Sequence, residues 1–156
     1  MFAAVGSDGT RDVVWGKGET YEAALEDAAK WLADQPHVDL TVHEITAAMA
    51  AEIAEGCVDW AELTTSALER AHEELRDRYL SAVSRDGDKV SLWVDDTPDS
   101  EDEIDRPEPT RSAQKEFAQI NSIAAKHGCS AKWTGNSVPY GDRTASYVDV
   151  TFGGGR

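Results

Sequence analysis

A chain of 156 residues, 40% of them hydrophobic and five of them tryptophan, can bury a real core, which excludes wholesale disorder. Thirty carboxylates against fifteen lysines and arginines leave a net charge of −15, which argues against direct nucleic-acid binding. No apolar run reaches the length of a membrane span, the start MFAAVGSDGTRDVVW lacks the basic and apolar regions of a leader, and Cys57 and Cys129 make no disulfide framework, so the expectation is a cytoplasmic protein that engages no membrane.

The N-terminal half predicts ββαβαα over residues 1–87. FAAVG and VVWGKG flank Asp8-Gly9 as a short hairpin. Thr20 is a suitable N-cap for TYEAALEDAAKWLAD, in which Tyr21, Leu25, Ala28 and Leu32 form one stripe with Ala24 and Trp31 beside it, and Pro36 ends the helix. VDLTVHE alternates as a strand with one covered face. Ile45, Met49 and Ile53 line the next helix, which Gly56 stops. Asp59 and Glu62 then begin a helix reaching about Val83, with its core stripe through Trp60, Leu63, Ala67, Ala71 and Leu75, widened by Leu68, His72 and Tyr79.

After Asp86-Gly87, where a boundary between halves is expected, residues 88–156 predict βαββ with a small antiparallel sheet. KVSLWVDD is a strand. SAQKEFAQINSIAAKHG is a helix with Ala113, Phe117, Ile120 and Ala124 inward and Gly128 as its stop. Two strands, Ser130 to Thr134 and Arg143 to Phe152, follow around the turn-rich GNSVPYGD, and GGGR reads as a frayed tail. The fold class is α+β, in two small packed halves.

Metal and catalytic motifs are absent or incomplete. Between Asp95 and Pro109, DDTPDSEDEIDRPEP packs eight carboxylates and three prolines, but without the residue order or the turn glycine of a calcium loop, so it reads as a solvated connection. His43-Glu44 has alanine at position 47, where a zinc helix would need its second histidine. His127 and Cys129 flank the glycine that ends a helix, so a histidine that favours the negative dipole end is the reading preferred over a catalytic Cys-His pair. GKGET lacks the spacing of a phosphate loop, so its glycines read as backbone geometry. No catalytic residue, metal ligand or cofactor is therefore expected. Lys115, Lys126, Lys132, Arg143, Trp133 and Tyr140 form a modest basic and aromatic set near the C-terminus.

The charge is unevenly spread. Residues 1–87 carry net −11, residues 95–108 net −7, and residues 109–156 net +3. Glu69, Glu73 and Asp77 stand four residues apart on the long helix, a column with about 6 Å between successive carboxylates. Glu22 and Glu26 repeat that spacing, and Asp99, Glu101, Asp102, Glu103 and Asp105 follow in the proline-containing segment. Such rows approach the spacing of charges on a nucleic-acid backbone.

These ten carboxylates are the expected partner-binding surface, and the expected partner is a basic nucleic-acid-binding protein or complex. In size and charge the chain resembles the small acidic inhibitors that phages and plasmids encode against restriction or CRISPR systems, proteins that act as DNA mimics. The resemblance is of composition and size, with no shared motif. An enzyme of unrecognised family and an acidic adaptor or regulatory protein are the alternative classes.

Overall fold

A reversal over Asp8 to Arg11, closed by the Asp8 amide donating to the Arg11 carbonyl at 3.0 Å, sets the first hairpin. Gly9 takes φ +104°, and Asp8 Oδ1 accepts from the Thr10 and Arg11 amides at 3.0 and 3.1 Å. The computed structural model describes residues 1–34, 38–53, 58–79, 83–98, 109–140 and 143–153, with 83, 84, 86 and 135–140 described by backbone alone. The protein is α+β, and the chain divides into two compact units, Met1–Ala67 and Leu68–Arg156.

In the first unit, β1 (Phe2–Ser7) and β2 (Asp12–Gly18) pair antiparallel, with a register shift between Ala4 and Val5. β3 (Thr41–Glu44) adds to β1 and the short β4 (Val58–Asp59) to β2, giving the order β3-β1-β2-β4. α1 (Tyr21–Trp31) starts where Thr20 Oγ accepts from the Ala23 amide at 3.0 Å. Ala24, Ala28 and Leu32 of this region pack with Ala4, Val13 and Trp15. α2 (Ala47–Glu52) buries Met49 and Ala50, and Lys17 donates to the carbonyls of Ala50 and Ile53 at its C-terminal end, at 2.9 and 3.1 Å.

Gly16 and Gly18 decide how α1 sits. A Cβ on Gly16 would fall 2.6 Å from the Ala24 carbonyl oxygen and closer still to the Ala28 amide, and one on Gly18 would fall 2.6 Å from Ala23 Cβ. The helix backbone thus rests directly on the strand, and at the crossing only the alanines Ala24 and Ala28 fit beneath it. That closeness displaces the large rings expected along or beside the stripe: Tyr21 is 52% and Trp31 56% exposed.

α3 (Trp60–Arg78) carries the chain from one unit into the other. Asp59 Oδ1 accepts from the Ala61 amide at 2.9 Å at its start, and the helix ends before the expected Val83, which belongs instead to β5 (Val83–Asp86). Gly87, at φ +60°, is the turn from β5 into β6 (Lys89–Asp95), so the division expected there falls inside a hairpin. α4 (Arg111–Lys126) is capped by Thr110 and stopped by Gly128 at φ +76°.

β7 (Cys129–Tyr140) runs longer than expected because Ser137 to Tyr140 also pair with β8 (Arg143–Phe152), after a register shift between Trp133 and Ser137. Pro139 is tolerated because β7 is an edge strand in the order β5-β6-β8-β7. Leu68, Ala71 and Leu75 of α3 and Ala113, Ile120 and Ala124 of α4 pack on Val90, Leu92, Val148 and Val150. The places expected for Pro36, Gly56, Asp99 to Glu108 and the end of the tail lie outside the described residues.

Replacing Gly16 by alanine forces backbone apart from backbone, and the expected loss of stability is about 1–3 kcal/mol. Chemical denaturation of Gly16→Ala beside Gly9→Ala, whose added methyl meets no packed atom, separates this overpacking from the strain of a left-handed residue.

Candidate functional site

The carboxylate column on α3 arises because the helix has one apolar stripe. With Leu68, Ala71 and Leu75 inward, Glu69, Glu73 and Asp77 face water, and all three are exposed. They are not equivalent. Arg85 reaches across from β5 to Glu69 at 3.1 Å, which neutralises the first member within the protein. The side chains of Glu73 and Asp77 make no ion pair or hydrogen bond among the described residues.

The neighbouring Glu74 turns toward α4 instead. It takes the Lys126 ammonium at 2.9 Å and lies 3.6 Å from His127 Nε2, and the Lys126 hydrogen bond holds its carboxyl below the usual range. Arg78 donates to Gln119 at 2.6 Å, and the Tyr79 hydroxyl donates to Glu116 at 2.6 Å. Burial, then the Glu116 carboxylate, push the Tyr79 phenol up to about 12. A cleft of about 400 Å³ lies between the two helices, lined by Glu74, Asp77, Arg78, Ile123 and Lys126. Four carboxylates and three arginines alternate from Glu69 to Arg78, so this stretch is a mosaic and not a uniform strip.

The first unit is more one-sided. Met1–Ala67 carries thirteen carboxylates against three cations, net −10, whereas Leu68–Arg156 carries net −5. Two of those three cations are spent inside the unit: Arg11 pairs with Asp59 at 2.9 Å, and Lys17 holds the end of α2. Glu22 and Glu26 are exposed on α1, one turn apart, with Lys30 one turn further.

The dense acidic segment divides in two at its start. Asp96 is buried, its Oδ1 accepting from the Thr110 amide at 2.7 Å and its Oδ2 from the Ser146 hydroxyl at 2.6 Å. Asp95 accepts from Thr97 and from Arg143 Nε at 2.9 Å. These two carboxylates therefore tie β6 to β8 and to the start of α4, beside a cavity of about 300 Å³ lined by Asp95, Thr97, Ser112, Lys115, Glu116 and Arg143. The period-two reading of Val90, Leu92 and Val94 already carries Asp96 into the buried phase. Asp99, Glu101, Asp102, Glu103 and Asp105 lie outside the described residues.

Other candidates take structural places. Trp133 packs edge-on against Phe117, with ring centroids 5.7 Å apart, and joins the core instead of offering a stacking face. Lys126 and Arg143 are committed to Glu74 and Asp95, while Lys115 and Lys132 are exposed. The Tyr140 side chain lies outside the described residues. Cys129 is buried, and burial pushes its thiol up to about 11 although Arg70 pulls the other way, which suits packing and not nucleophilic attack. His43 stacks on Trp60 at 4.8 Å. Among the described residues no group of three or more His, Cys, Asp or Glu is placed to hold a metal ion, and no helix is long and apolar enough to cross a membrane. Comparison of the chain with protein-family models, with curated proteins and with solved structures finds no match.

Removing the Asp96 carboxylate strands the Thr110 amide and the Ser146 hydroxyl, so Asp96→Ala should cost about 1–3 kcal/mol and speed hydrogen exchange in the first turn of α4. Asp96→Asn, which keeps both bonding positions, should cost less; equal stability of wild type and both variants in urea would remove this anchor from the account.

The His72 imidazole is pushed down by burial and by Arg85 and Arg76, with Glu73 and Glu69 opposing. The unfolded chain then takes up a proton near the ordinary value of about 6.5 before the folded chain does, so stability is full above that pH and falls as the pH drops below it. Urea denaturation of wild type and His72→Gln between about pH 7.5 and 5.5 reads this, with a smaller decline expected in the variant.

Proposed function

We propose that the protein is a non-catalytic binding protein whose acidic surface engages a basic nucleic-acid-binding partner, in the manner of the DNA-mimic inhibitors that mobile elements direct against restriction or CRISPR complexes. The observation that carries this reading is the separation of charge from core. Carboxylates stand in exposed pairs one helical turn apart, Glu22 with Glu26 and Glu73 with Asp77, on helices whose opposite faces are fixed by packing.

Held on rigid helices, such pairs keep their spacing without the entropy cost that free side-chain arrays incur. A directed negative field accelerates capture by a cationic cleft, and each carboxylate can accept a charge-assisted bond from lysine or arginine. Glu69 contributes less than its position suggests, because Arg85 already occupies it. The tethering of Asp95 and Asp96 likewise removes two charges of the proline-containing segment from the surface available to a partner.

Affinity capture from a host lysate at low salt should retain a nucleic-acid-binding protein that duplex DNA and added salt displace. Once that protein is purified, reversing Glu22, Glu26, Glu73 and Asp77 to lysine should weaken binding by about tenfold or more while the melting temperature stays close to wild type. A quadruple variant that stays folded and binds as wild type does would show the carboxylates to be a solvated coat.

A further inference from the structure

Two large aromatic side chains stand out on α1. Tyr21 opens the helix and Trp31 closes it, ten residues or about 15 Å apart along the axis, and each is more than half exposed. The buried phase of the helix is filled by Ala24, Ala28 and Leu32, so neither ring is needed for the packing. Trp31 has Asp27 one turn before it on the same side, and exposed Asp34 three residues beyond. Asp27 is itself held in place, its Oδ2 accepting from the Lys17 amide at 3.0 Å.

We propose that Trp31 with Asp27 and Asp34 forms an arginine-binding subsite, and that Tyr21 at the other end of α1 supplies a second aromatic contact for the same arginine-rich partner surface. The inference rests on the acidic-binding reading above and specifies its partner chemistry. A guanidinium is planar and weakly hydrated, so it can lie on an indole face while its N–H groups reach a carboxylate alongside. An ammonium of the same charge stays more strongly hydrated and matches that arrangement less well. Charge favours this occupant, since the unit bearing α1 carries net −10 and a cationic partner gains from the surrounding field. Exposed tryptophan and tyrosine are also the residues that most often dominate the energy of protein interfaces.

The test titrates the full chain with synthetic deca-arginine and deca-lysine peptides at low salt, read by calorimetry and by indole fluorescence. Arginine should bind tighter than lysine by about three- to tenfold. Trp31→Ala should abolish most of that preference and leave the lysine affinity near its wild-type value, and Asp27→Asn should reduce the preference in part. Because Trp31 is exposed, the variant should melt with wild type, and a melt confirms that the fold survives. A preference for arginine that survives Trp31→Ala, or equal binding of the two peptides by wild type, overturns the subsite while leaving the acidic surface standing. Binding of neither peptide would remove the acidic-binding reading itself, and the subsite with it.

Discussion

A carboxylate taken out of water without a partner costs several kcal/mol, and this protein has thirty of them for fifteen cations. That desolvation cost organises both units. Each helix can offer its sheet one apolar stripe, so its carboxylates go to the outer face, as Glu22, Glu26, Glu73 and Asp77 do, or take a donor at the edge of the packing, as Asp27 does from the Lys17 amide. Among the described residues Asp96 is the one buried carboxylate, and both its oxygens are occupied by donors. The acidic rows follow from the same requirement that makes the core apolar.

The core meets this requirement in two ways. In Met1–Ala67, where acids outnumber cations most, glycine and alanine bring helix and strand backbones together at Gly16 and Gly18, and α1 buries only Ala24 and Ala28, with Leu32 buried at its C-cap. In Leu68–Arg156, larger residues such as Leu75, Leu92, Ile120 and Val148 fill the space between sheet and helices, and polar ties such as Asp96 with Thr110 and Ser146 fix the ends of elements. The first device leaves large rings on the surface. The second consumes charges that would otherwise point outward.

Much of this was legible in the sequence. Period-two and period-3.6 patterns placed β1, β2, α1, α4 and β8 within a few residues, and the caps at Thr20 and Gly128 act as their residue types require. The stripe assigned to α3 through Leu63, Ala67, Ala71 and Leu75 is the buried face. What periodicity missed depended on partners distant in the chain. Nothing local marks Glu69 as paired with Arg85, Glu74 as bound to Lys126, or Trp133 as inward-facing against Phe117. Tyr21 and Trp31 suit a core position by size and spacing, whereas the closeness set by Gly16 and Gly18 admits only alanines of α1 at the crossing itself. The extended β7 was hidden by turn-forming residues that an edge strand tolerates.

The proposed function rests on an ordered acidic surface that meets a basic partner. The most direct measurement is the affinity for the captured basic partner across a salt series. A steep linear fall of log affinity with log salt concentration, together with competition by duplex DNA for the same partner site, is the result predicted. An affinity indifferent to salt, with DNA and this protein bound to the partner at once, would contradict it.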